Sequence, residues 1–119
     1  MSPEQKIREC IELKKSHGFI VSNSIWFQWR DGKNPPKVSP WGAVSMFLNS
    51  DSHGNYIFPQ VKMWDQVVNY LEVDDEWLKM FAKGFDGEVV SPMWLTQTSS
   101  SGLNAFQLGR KFATEYLIS

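Results

Sequence analysis

Apolar residues recur at helical spacing in five stretches of the chain and alternate in one. Ile7, Cys10 and Ile11 share a face behind Ser2-Pro3-Glu4-Gln5, where Ser2 caps, Pro3 takes the first helical position and Gln5 completes a capping box. Gly18 stops this first helix. Ser39 and Pro40 open a second, with Trp41, Val44, Phe47 and Leu48 as its apolar face. Val61, Trp64, Val68 and Leu71, with Val67 beside them, mark a third. Asp74 caps a fourth, Val73 and Leu78 occupy its hydrophobic-staple positions, and Trp77, Leu78 and Phe81 face inward. Gly84 is read as the end of that helix and "FDGE" as a tight turn after it. Ala105, Leu108, Phe112 and Tyr116 stripe a last helix that starts near Ser101.

Between the first two helices, Ile25, Phe27 and Trp29 alternate with Trp26, Gln28 and Arg30. That is a strand period, closed by Asp31-Gly32 and Pro35-Pro36, and it suits pairing with residues 55–58. The pattern predicts a mainly α fold of about five helices with a small β element, or α+β if that element grows. The stretch from Phe85 to Gly102 reads as a long linker. A length of 119 residues fits one globular domain over 1–119.

Charge refines this picture more than composition does. The net charge is −1, but residues 1–40 hold seven Lys/Arg against four Asp/Glu, whereas 41–91 hold three against eight. That balance argues against nucleic acid as a partner, since nucleic-acid domains are usually strongly basic. The polar N-terminus and the short apolar runs give neither a secretory signal nor a membrane span. With a single cysteine, Cys10, the expectation is a cytoplasmic protein with no membrane partner.

Candidate chemistry is sparse. Asn49, Asp51, His53 and Gly54 fit part of a calcium-loop template, but Gln60 stands where a bidentate Glu is needed. The run Glu72–Glu76 is most simply a helix N-terminus carrying the negative charge its dipole favours. His17 and His53 have no zinc spacing, and no nucleophile or phosphate-binding motif is present. We therefore expect no metal, no cofactor and no catalytic residue.

Six tryptophans are the informative feature. Trp64 and Trp77 lie on helical stripes and are assigned to the core. Trp26, Trp29, Arg30, Met93 and Trp94 are the candidate contacts for a protein partner or for self-association, because Trp, Met and Arg concentrate in interfaces. "VVSPMW" is then either a lid on the core or the surface presented to a partner. A pocket lined by Trp29, Trp41 or Trp94 with Asp86 as polar anchor would instead make a small-molecule site. Single-strand nucleic-acid binding through Trp26–Lys37 ranks third.

"WLKMFAKGFDGE", followed by "GLNAFQLGRKFATEYL", resembles small uncharacterised proteins of bacteria and their phages, in which an aromatic helix ends in a G-F-D-G-like turn. The resemblance implies a bacterial or phage accessory protein and brings no known activity and no catalytic residue with it.

Overall fold

The computed structural model describes residues 1–50 and 63–117. Among them are six helices and three two-residue strands, so the fold is mainly α with a small β element. The chain divides into two compact units, Met1–Glu72 and Val73–Ser119.

The first unit opens with α1, Pro3–Ser16. Its capping box forms as the sequence requires: the Gln5 amide donates to Ser2 Oγ and the Ser2 amide to Gln5 Oε1, both at 3.2 Å. Ile7, Cys10, Ile11 and Lys14 form its buried stripe, and Gly18 turns the chain away at φ +90°. The strands β1 (Ile20–Val21), β2 (Phe27–Gln28) and β3 (Lys37–Val38) follow. β3 is central, antiparallel to β2 and parallel to β1. The alternating segment thus contributes only Phe27–Gln28 as strand, and the partner it finds is Lys37–Val38. The expected pairing with residues 55–58 lies outside the described residues, as do the calcium-template positions Asp51, His53, Gly54 and Gln60.

α2, Pro40–Leu48, starts at Ser39, whose Oγ accepts the Gly42 amide at 3.0 Å. Every residue from Pro40 to Met46 is buried. Phe47, expected on the apolar face, is 43% exposed. The helix is enclosed through its first two turns because Gly42, Ala43 and Ser45 leave no bulky polar side (a helix apolar all round is a buried helix).

α3, Met63–Leu71, buries Val67 and Leu71. Its end is held from α1. Lys6 Nζ donates to the Tyr70 carbonyl at 2.7 Å, approaches Glu72 Oε2 at 3.3 Å and lies 5.0 Å from the centre of the Tyr70 ring. A cation on the last carbonyls of a helix satisfies an orphan acceptor and opposes the dipole. Lys6→Met is expected to lower stability by about 1.5–3 kcal/mol, the range for a hydrogen bond to a charged group. An unchanged urea midpoint would show that water serves the Tyr70 carbonyl equally well.

In the second unit, α4 spans Asp75–Asp86, α5 Pro92–Gln97 and α6 Ser100–Tyr116. Asp74 Oδ1 accepts the Trp77 amide at 2.7 Å, confirming the cap. The helix does not stop at Gly84. It runs on through Phe85 and Asp86 to Gly87, which is left-handed at φ +75° and whose amide donates to the Gly84 carbonyl. Gly84 serves a different purpose, the approach of α6. A Cβ there would stand 2.1 Å from the Phe106 carbonyl oxygen, and one on Gly109 would stand 2.1 Å from that of Phe81. Around these contacts Leu78, Met80, Phe81, Phe85, Ala105, Phe106 and Phe112 close a core. The α6 stripe is therefore Gly102, Ala105, Phe106, Gly109 and Phe112, with the expected Leu108 and Tyr116 only half-buried.

The linker expected from Phe85 to Gly102 is also corrected. Its first two residues end α4, and α5 occupies its middle, capped by Ser91 Oγ accepting the Trp94 amide at 3.1 Å.

Candidate functional site

The candidate contacts divide between the two units. Trp26, Trp29 and Arg30 belong to the first; Met93 and Trp94 belong to the second. The proposed pocket residues separate in the same way, Trp29 and Trp41 from Trp94 and Asp86. Trp41 is only 5% exposed and is part of the core of the first unit. Asp86 is half-buried at the last turn of α4. Trp64 and Trp77, assigned to the core, are half-buried instead. Trp64 meets Trp26 edge-on at 6.0 Å, and Trp77 stacks on Phe81 at 5.5 Å. Their stripes face inward, but each ring reaches the rim rather than the centre.

In the second unit Trp94 is gripped from two sides. Lys83 Nζ sits 5.5 Å from the centre of its ring, and Phe106 meets it edge-on at 6.3 Å. Lys83 is itself held 3.3 Å from Glu88 Oε2. Two open grooves border the indole. One, of about 400 Å³, is lined by Asp75, Glu76, Lys79, Met80 and Gln97 among others. The second, of about 460 Å³, is lined by Glu88, Val89, Val90 and Ser91. Lys83 and Trp94 form a wall common to both, and Asp86 lines neither. Val89 is 99% exposed and Met93 70%.

The acidic side chains that line the first groove have structural partners. Asp75 pairs with Lys79 at 3.0 Å, and Glu76 Oε1 accepts the Ser99 hydroxyl at 3.2 Å beside the start of α6. The acidic run at 74–76 thus serves helix termini.

In the first unit Trp29 is 48% exposed and meets the rings of Phe27 at 5.7 Å and Phe19 at 6.5 Å. Lys14 lies beneath this cluster, its ammonium 5.8 Å from the centre of the Phe19 ring, and burial pulls its pKa below the usual lysine value. One turn earlier, Cys10 borders a small apolar cavity of about 210 Å³ with Leu13, Phe47 and Tyr70. Burial, helped by Glu9, pushes its thiol from 9.0 up to about 12. A thiol so protonated is a poor nucleophile.

A pH dependence follows from Cys10. Between pH 9 and 12 the folded state keeps a proton that the unfolded chain loses, so stability falls as pH rises, by at most about 1.4 kcal/mol per unit. Lys14 acts in the opposite sense below 10.5, because its folded form releases its proton first. Cys10→Ala keeps Lys14, so the difference between the two proteins reports the thiol together with its electrostatic coupling to Lys14. The variant is expected to lose stability less steeply above pH 9; parallel urea profiles would contradict the shift.

Among the described residues no group of three His, Cys, Asp or Glu side chains is placed to hold a metal ion, and no helix is long and apolar enough to cross a membrane. Comparison with protein-family models, with curated proteins and with solved structures finds no match to this chain.

The sequence pointed to Met93 and Trp94 and to the "VVSPMW" stretch, but it did not single out Val89, 99% exposed, as a contact or Lys83 as the cation on the indole. "VV" before "SPMW" was a visible signal for the first. Lys83 lies eleven residues from Trp94, and no local pattern links them.

Proposed function

We propose that this protein is a non-enzymatic accessory protein that works by docking on a protein partner, or on a second copy of itself, through the surface around Trp94. One observation carries the reading: Val89 and Met93, 99% and 70% exposed, flank an indole held in place by Lys83 and Phe106. A fixed aromatic ring with exposed apolar neighbours and a polar rim has the composition of a binding hot spot, where a few anchors supply most of the affinity. The grooves on either side are open, which suits the relief of a protein surface better than an enclosed ligand. The resemblance of "WLKMFAKGFDGE" to small bacterial and phage proteins supports the same role, with an origin of that kind.

Val89→Asp and Met93→Asp change exposed side chains and leave the unit folded. The tagged wild-type protein is expected to retain a specific partner from its source cell, or to show a dimer by light scattering. Either association is expected to weaken about tenfold or more in the variants, the usual cost of charging an interface centre. A monomer that retains nothing, or a partner indifferent to both variants, would sink the reading.

A further inference from the structure

We propose that the open face of the β1–β3–β2 sheet is a second contact surface, whose partner is an acidic protein segment carrying an aliphatic side chain. The proposal rests on the docking reading for the partner being a protein; the surface is a different one. Strand register defines the face. Ile20 and Gln28 both lie across from Lys37, so these three point to one side, while Val21, Val38 and Phe27 point to the other. The second set is the inner one, with Val38 fully buried and Val21 buried. The ring contact between Phe27 and Trp29 keeps Trp29 on that inner side, which leaves Arg30 with Gln28 on the outer.

Charge completes the argument. From residue 14 to residue 40 the chain holds five Lys/Arg against the single acid Asp31. The backbone of Asp31 bridges to Asn34 in both directions, presenting Lys33 at the tip of the hairpin. Among the described residues Arg30, Lys33 and Lys37 enter no ion pair. Ile20, 50% exposed, sits beside Lys37. Cations around one aliphatic side chain complement carboxylates around another. A single-stranded nucleic acid would need a ring on the same face as the cations for its bases to stack on. Phe27 and Trp29 lie on the opposite side.

The test uses the full chain and three labelled probes followed by anisotropy: a peptide of Glu-Glu-Leu repeats, polyglutamate and oligothymidylate. The leucine-bearing peptide is expected to bind best, and to weaken as salt rises. Combined Arg30→Gln, Lys33→Gln and Lys37→Gln substitution, at exposed or half-buried sites, weakens it about tenfold. Ile20→Ser weakens the leucine-bearing peptide and leaves polyglutamate unchanged. Met93→Asp changes neither, which separates this surface from the one around Trp94. Circular dichroism confirms that each variant folds. Peptide binding untouched by the triple substitution overturns the proposal, as does its loss in Met93→Asp. Tighter binding of oligothymidylate overturns it in favour of nucleic acid.

Discussion

Replacing Gly109 with alanine is expected to unfold the second unit. In an ordinary helix interior the change would stabilise by about 1 kcal/mol, because alanine has the higher helix propensity. Here the new methyl would stand 2.1 Å from the Phe81 carbonyl oxygen and 2.8 Å from the Phe85 amide nitrogen. Both obstacles are main chain, so no rotamer change clears them, and α4 and α6 must separate. The cost is that of overpacking, about 3 kcal/mol or more. Gly84→Ala should behave alike, since its methyl meets the Phe106 carbonyl oxygen at 2.1 Å. Gly102→Ala is the control. Its nearest obstacles, Glu76 Oε1 and Thr98 Cγ2 at 2.9 Å and Met80 Cγ at 3.3 Å, belong to side chains that can turn aside. Hydrogen exchange of the α6 amides reads the outcome: fast in Gly109→Ala and Gly84→Ala, close to wild type in Gly102→Ala. Slower exchange in Gly109→Ala would mean that the helix contact is not made this way.

Gly42→Ala is expected to damage the first unit as severely. A Cβ there would lie 1.7 Å from the Trp26 carbonyl oxygen. That oxygen accepts both the Ser39 amide at 3.1 Å and the Ser39 hydroxyl at 3.2 Å. Pushing it away breaks the joint between the end of the Trp26 segment and the start of α2, adding the loss of two hydrogen bonds to the overpacking. We expect about 3–5 kcal/mol in total. Trp26→Ala does not rescue Gly42→Ala, because the obstructing atom is backbone. A rescue would place the clash on the indole and refute the geometry. Urea unfolding followed by hydrogen exchange in α2 gives the measurement.

These glycines explain where reading the chain succeeds and where it fails. Three helices open on the same pair, Ser2-Pro3, Ser39-Pro40 and Ser91-Pro92, and in each the serine oxygen accepts the amide three residues on. Sequence reasoning recognises the first two because a long apolar stripe follows. At Ser91 the helix has only six residues and no stripe to support it, so the segment reads as loop. Strand β3 escapes for the same reason, since two residues after a Pro-Pro pair show no period. The candidate site is half legible: Met93 and Trp94 stand out as apolar residues in a polar context. The grip of Lys83 and Phe106 on the indole is not legible.

Local chemistry was enough to set the starts of α1, α2 and α4, the buried apolar stripe of α1, the turn through Gly87 and the mainly α class. Each depends on residues within a turn or two of one another. Gly84 looks the same in sequence whether it ends a helix or admits a neighbour. Its purpose is decided by Phe106 and Arg110, more than twenty residues away. Depth of burial has the same origin. A stripe tells which side of Trp64 or Trp77 faces inward, but how far in depends on what packs opposite. Only the fold could bury Trp41, leave Trp64 at the rim and turn Lys37 and Arg30 to the side of the sheet that Phe27 and Trp29 do not share.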